Sequence, residues 1–211
     1  MSGDHYFTAS PESELKLRTF TARLSGSSYE LTTANGVFSP DRIDLGTRVL
    51  LASTPAPPDD GHLLDLGCGW GPISLTLALE SPAATVWAVD VNERALQLVR
   101  RNAERLGLTN INAVQPSDVP ADLRFATIWS NPPIRVGKNE LHGMLEHWLP
   151  RLAPGSDAWL VVQRNLGSDS LQAWMQTALA DDVSVQRVTS SKGYRVLRAR
   201  RTGMVVSGPA D

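Results

Sequence analysis

The sequence predicts an α/β fold: a mostly parallel seven-stranded sheet with an antiparallel C-terminal strand, preceded by an N-terminal β-hairpin extension. Three observations support this. From residue 62 onward, short apolar runs alternate with helical patterns, as in successive β-α-β units. The runs are continuously apolar rather than alternating, as expected of strands covered on both faces of a parallel sheet. Near the end, stretches 183–188 and 194–200 flank a short Ser-Lys-Gly segment and read as an antiparallel pair.

Taken in order, residues 18–24 and 29–32 show short apolar alternation around Ser25-Gly26-Ser27-Ser28, a hairpin able to cover one end of a core. Residues 44–51 form a short helix before the Pro-rich loop 54–61. A strand at 62–66, a helix over 72–79 and a strand at 85–89 make the first β-α-β unit. Asn92 then caps a helix whose Ala95, Val99, Ala103 and Leu106 share one face, with Gly107 just past its end. Further strands are expected at 111–114, 126–130 and 158–163, with a helix over 139–152 and another after Ser168. Residues 1–14 and 207–211 read as frayed polar tails. The chain is thus expected to be one domain over 1–211: an extension to residue 55, a core over 56–202 and a tail over 203–211.

Composition narrows the function. A chain of 211 residues with 42% hydrophobic residues can bury about 70% of its unfolded surface, so a deep crevice needs no metal or disulfide staple. The net charge of -2 argues against nonspecific binding to free nucleic acid, which needs a broad basic excess, but leaves room for a local basic rim. Cys68 is the only cysteine, which excludes an internal disulfide and suits a reducing compartment; in its tight loop it reads as a small buried residue. No apolar run approaches the ~20 residues that span a bilayer, and the N-terminus lacks a secretory pattern, so a cytoplasmic location is expected. His142 and His147 lack metal-ligand company and read as solvated or packing residues, and no metal site is expected.

The segment Asp65-Leu66-Gly67-Cys68-Gly69-Trp70-Gly71-Pro72 carries the most information. A buried strand runs into a glycine-rich turn and directly onto a helix N-terminus. Gly67 and Gly69 let the backbone approach a ligand, and Pro72 fits the first helical turn, where a missing N–H costs nothing. A dinucleotide fingerprint would read G-x-G-x-x-G; here the spacing is G-x-G-x-G with an acid two residues ahead, which suits a ligand without pyrophosphate. Asp65, expected at the loop mouth, would repel phosphate but pair with a cationic amino group. Asp90 ends the next strand, where an acid meets ribose hydroxyls, with Val91 following it. Asp118, after the third strand, is placed to reach an adenine amino group, or is a solvated turn residue.

Asn131-Pro132-Pro133-Ile134 follows the fourth core strand, beside the point where open α/β sheets bind ligands. Two prolines stiffen the loop and are expected to hold the Pro132 carbonyl outward, beside the Asn131 side-chain oxygen. Such a pair of acceptors can grip the hydrogens of an amino group and turn its lone pair out of conjugation. That is positioning chemistry with no dedicated base.

These motifs together resemble the class I methyltransferases, with their Rossmann-like fold. More narrowly, Gly36-Val37-Phe38-Ser39, Asp44-Leu45-Gly46-Thr47, the run 131–138 and Lys192-Gly193-Tyr194 resemble the bacterial small-subunit ribosomal RNA guanine amino-group methyltransferases, with a likeness from about Tyr6 to Arg200. The resemblance implies S-adenosyl-L-methionine as cofactor and ribosomal RNA or a ribosomal subunit as partner. It places Phe38 and Ser39 in the cofactor or target pocket, Gly46 and Thr47 close to the cofactor, and Arg135 and Lys138 toward RNA. Arg164 joins that candidate rim, with Arg195 and Arg198 as further candidates. Larger members of the family carry a second, degenerate copy of the fold; this chain carries one. Position 134, often aromatic in amino methyltransferases, is Ile134 here, which packs on a base but stacks less well. Two other readings stay open: a protein glutamine amide as acceptor, as in release-factor methyltransferases, and a non-catalytic RNA- or ribosome-binding module.

Overall fold

The computed structural model describes residues 14–181 and 183–202, so the expected tails, Glu14 apart, lie outside it. β1 (Leu17–Leu24) and β2 (Ser27–Ala34) form a separate two-stranded sheet. Their turn is only Ser25-Gly26, with φ of 46° and 84°, the paired positive angles of a type I′ hairpin, so Ser27 and Ser28 belong to the strand.

The core then runs α1 (Leu45–Ser53), β3 (His62–Leu66), α2 (Pro72–Glu80), β4 (Thr85–Val89), α3 (Glu93–Arg105), β5 (Ile111–Val114), β6 (Phe125–Ser130), α4 (Lys138–Trp148), β7 (Leu152–Gln163), α5 (Ser168–Ala178), β8 (Val183–Ser191) and β9 (Tyr194–Arg201). Two boundaries differ from expectation. α4 stops at Trp148 and gives way to a 3-10 turn over Leu149–Arg151, because Pro150 has no N–H to continue the helix. β7 starts six residues early, at Leu152, through an irregular register in which Leu152 faces Phe125 and Asp157 faces Thr127; Pro154 and Gly155 lie in the looped-out stretch.

The seven-stranded sheet has the order β5-β4-β3-β6-β7-β9-β8. β3 to β7 run parallel to one another, whereas β9 inserts antiparallel between β7 and β8. One face is covered by α4 and α5, with Leu64, Ile128, Leu145, Leu160 and Met175 in its core. The other is covered by α1 and α2 through Val49, Leu50, Ile73, Leu77 and Val161. The hairpin forms a further layer outside α2 and α3, where Leu24 and Leu31 pack with Trp70, Leu75 and Leu98. Chain direction across the sheet reverses between β3 and β6, which opens a crevice at their C-terminal ends. Among the described residues no helix is long and apolar enough to cross a membrane.

Candidate active site

A crevice of about 650 Å³ lies at that reversal, a size typical of a small-molecule pocket. The turn after β3 forms its floor. Gly67 and Gly69 adopt φ of 78° and 54°, which a side chain would strain. Four amides of this turn are engaged: Gly67 and Cys68 donate to the Val89 carbonyl at 2.8 and 3.1 Å, Gly69 to Asp90 Oδ2 at 2.9 Å, and Gly71 to the Cys68 carbonyl at 3.0 Å. The loop therefore presents these four groups to no phosphate.

Asp65 is not at the loop mouth. It is fully buried beneath the turn, where Oδ2 accepts from the Ser74 amide at 2.8 Å and the Ser74 hydroxyl at 2.5 Å. β3 points this side chain at the first turn of α2, and the helix N-terminus draws the carboxyl inward. Burial pushes the carboxyl up to about 7, against the opposing pull of Ser74. Its Oδ1 is buried without a partner. Asp90 lines the crevice. Its Oδ1 accepts from the Asn92 amide at 2.9 Å and its Oδ2 from Gly69, leaving a lone pair on each oxygen, while burial raises its carboxyl above the ordinary range. A half-engaged carboxylate in the lining beside a glycine turn fits a hydroxyl-bearing nucleoside such as S-adenosylmethionine.

Asn131 ends β6 at the opposite wall, and β3 and β6 are tied there by the Ser130 hydroxyl donating to the Leu66 carbonyl at 2.6 Å. Asn131 Nδ2 donates to Asp44 Oδ2 and to Thr47 Oγ1, both at 3.0 Å. Both amide hydrogens are thus taken, and Oδ1 is the atom left to accept. The Pro132 carbonyl is held differently from expectation. It accepts the Ile134 N–H at 2.9 Å across Pro133, whose φ and ψ of -74° and 80° are those of an inverse γ-turn, so one of its two lone pairs is already used.

Of the other expected site residues, Phe38, Val91, Pro132, Pro133 and Ile134 line the crevice. Gly46 and Thr47 stand behind Asn131 rather than in the lining. Cys68 is buried, with its thiol pushed up chiefly by burial. Asp118 is exposed on a 3-10 turn, with its Oδ1 accepting from the Ser117 hydroxyl, and Pro116 of the same turn lines the crevice in its place. Ser39 faces elsewhere: its hydroxyl donates to the Arg42 carbonyl and its own carbonyl accepts Trp70 Nε1. Lys138 and Arg164 are exposed outside the lining, and the side chain of Arg135 lies outside the described part of the structure. Arg195 and Arg198 do not belong to a rim. Arg195 is buried and pairs with Asp169, and Arg198 makes a two-pronged contact to Asp157 at 2.7 and 2.9 Å, because α5 and the neighbouring strand β7 supply acids before solvent does. His142 stacks on Trp174 and His147 stands edge-on to Trp148, both packing roles.

Sequence reasoning missed Asp44, Trp148 and Tyr194 in the wall. Asp44 was discoverable as a helix N-cap: its carboxylate accepts from the Gly46 amide at 2.7 Å. Tyr194 stands in a motif that carries the family resemblance, but nothing local gave it a place in the site, since β9 reaches the crevice only through the sheet order. Its ring closes so tightly over α1 that a methyl group on Gly46 would sit 2.8 Å from Tyr194 Cε1 and 2.9 Å from Asp44 Oδ2.

With this geometry in place, comparison with known proteins decides the family. The model of the methyltransferase small domain matches residues 28–198. The chain belongs to that family. This methyltransferase domain is 37% identical over 201 residues to the uncharacterised Bacillus subtilis protein YbxB, covering 94% of this chain and 98% of that one. It is 42% identical over 118 residues to the ribosomal RNA small subunit methyltransferase C of Aeromonas hydrophila, covering 55% of this chain and 33% of that protein. The corresponding Pseudomonas aeruginosa protein is 29% identical, with 92% and 58% covered. The chain therefore spans about a third to three-fifths of these two larger relatives. Among solved structures, a T. thermophilus 16S rRNA N2 methyltransferase in complex with AdoMet and guanosine superposes with a TM-score of 0.75 at 24% identity, over 90% of this chain and 52% of that one. That likeness establishes the fold, and the expected S-adenosylmethionine-dependent methyltransferase class agrees with it.

Proposed function

We propose that this domain transfers a methyl group from S-adenosylmethionine to the exocyclic amino nitrogen of a guanine in ribosomal RNA, in the cytoplasm. The observation that carries the reading is the locked Asn131 amide, which leaves an accepting oxygen in a crevice that also holds Asp90 and a glycine turn with four amides already engaged. The cofactor supplies a methyl group activated by its sulfonium. Asp90 holds its ribose hydroxyls, Asp65 anchors the turn from beneath through Ser74, and Phe38 and Val91 flank the nucleoside. Gly67, Cys68 and Gly69 shape the turn beneath it, and Gly46 and Thr47 back the site from α1. Asn131 Oδ1 and the remaining lone pair of Pro132 O accept the two hydrogens of the target amine, which turns its lone pair out of conjugation and stabilises the positive charge growing on nitrogen. Pro133 and Ile134 fix that loop. Aromatic faces for a base come from Phe38 and Tyr194, which offset the aliphatic Ile134. Arg135, Lys138 and Arg164 face the RNA backbone. Ribosomal RNA as substrate is supported by the names of the relatives, and guanine as acceptor by the solved 16S rRNA N2 methyltransferase that holds guanosine.

The test is transfer from methyl-labelled S-adenosylmethionine to ribosomal RNA, ribosomal subunits and release factors in parallel. Label is expected in RNA, on guanine; label in protein alone overturns the RNA assignment. Asn131→Ala should bind cofactor normally yet lose on the order of 2.7–4 kcal/mol of transition-state stabilisation, a hundred- to thousandfold in turnover. Near-normal turnover in that variant contradicts the reading.

A further inference from the structure

We propose that Asp44 is a positioning residue for methyl transfer, acting by fixing which end of the Asn131 amide meets the acceptor. The inference rests on the gripping role given to Asn131 above. An Asn side chain is nearly symmetric in shape, so packing alone does not choose between its oxygen and its nitrogen. Thr47 does not choose either, because its hydroxyl can accept from Nδ2 or donate to Oδ1 equally well. The Asp44 carboxylate can only accept. With its Oδ2 at 3.0 Å from Asn131, it admits the amide NH2 and excludes the carbonyl. Asp44 is itself immobilised, since the same Oδ2 accepts from the Gly46 amide at 2.7 Å and, at 3.4 Å, from the Thr47 amide as the N-cap of α1. Gly46 keeps the approach open. If the Asn131 amide turned over, an NH2 group would face the N–H bonds of the incoming amine and repel them.

Two substitutions separate this role from helix capping. Asp44→Ser keeps a capping oxygen but is too short to reach Asn131; Asp44→Asn keeps both cap and acceptor. The assay is methyl transfer to ribosomal RNA and subunits prepared from cells lacking the protein, with cofactor affinity and melting temperature measured alongside. Asp44→Ser should lower kcat by about ten- to a hundredfold with the cofactor Kd within about twofold, and should cost nothing further in an Asn131→Ala background. Asp44→Asn should stay within about fivefold of wild type. Independently of any substrate, the Asn131 side-chain NH2 pair should exchange slowly with solvent in 15N spectra, and rapidly in Asp44→Ser. Unchanged kcat in Asp44→Ser, a full additive loss beside Asn131→Ala, or fast exchange in the wild type would overturn the inference. A near-normal Asn131→Ala enzyme would instead remove the reading on which it stands.

Discussion

Asp65 illustrates how one buried carboxyl couples the site to pH. Its folded-state value of about 7 lies above the ordinary 3.8, because removal from water outweighs the two hydrogen bonds from Ser74. The folded protein therefore holds this proton more tightly than the unfolded chain does. The stability so contributed is complete below about pH 4 and is lost as the pH rises through about 7, a change on the order of 4 kcal/mol. Asp65→Asn, neutral at every pH, should remove that loss. In cofactor-free protein, its melting temperature should draw ahead of wild type from pH 4 to pH 8 in a thermal scan; parallel curves would show that Asp65 does not titrate in this way.

At the scale of elements, the hairpin and α1 do different work. The hairpin is attached through apolar packing and through one buried amide. Asn102 of α3 accepts the Thr32 N–H at 2.7 Å, and its Nδ2 donates to the Thr32 carbonyl at 2.9 Å and the Trp70 carbonyl at 3.2 Å. Nothing else on α3 could satisfy these groups. Asn102→Ala should therefore destabilise the domain by about 1–3 kcal/mol for each backbone group left unpaired, measured as a shift in the urea midpoint. A change below about 0.5 kcal/mol, the level of a neutral surface substitution, would place the hairpin's attachment in the apolar contacts alone. α1, in contrast, is an element of the site. Its first turn carries Asp44 and Thr47 to Asn131, and its docking against β9 brings Tyr194 over Gly46.

The whole molecule carries a net charge of -2, and much of its cationic charge is spent internally. Arg18, Arg100, Arg105, Arg187, Arg195, Arg198 and Arg200 all have acidic partners. The RNA recognition proposed above would then be local, and Lys138 and Arg164, exposed outside the crevice, are its proposed cations. Removing one phosphate-binding cation should lower the salt slope of binding by about 1, so the Lys138→Ala/Arg164→Ala pair should flatten the slope for ribosomal RNA fragments by about 2. Fluorescence anisotropy across a salt series checks this, and an unchanged slope would move the RNA-binding surface to another face.

Whatever depends on a few neighbouring residues was legible in the chain. Alternating apolar runs announced the parallel sheet, Asn92 its helix, and the glycine turn, Asp90 and Asn131-Pro132-Pro133 the two walls of a cofactor crevice. Periodicity and turn chemistry are local, and so they survive in sequence. Decisions made across the sheet were not legible. β9 inserts between β7 and β8 and carries Tyr194 into the wall; Asp65 turns inward under α2; Arg195 and Arg198 meet acids 26 and 41 positions away; and Asp44 reaches Asn131 across 87 positions. These follow from strand order and register, which bring together groups that no spacing relates, and there burial and the nearest partner determine what each charge can do.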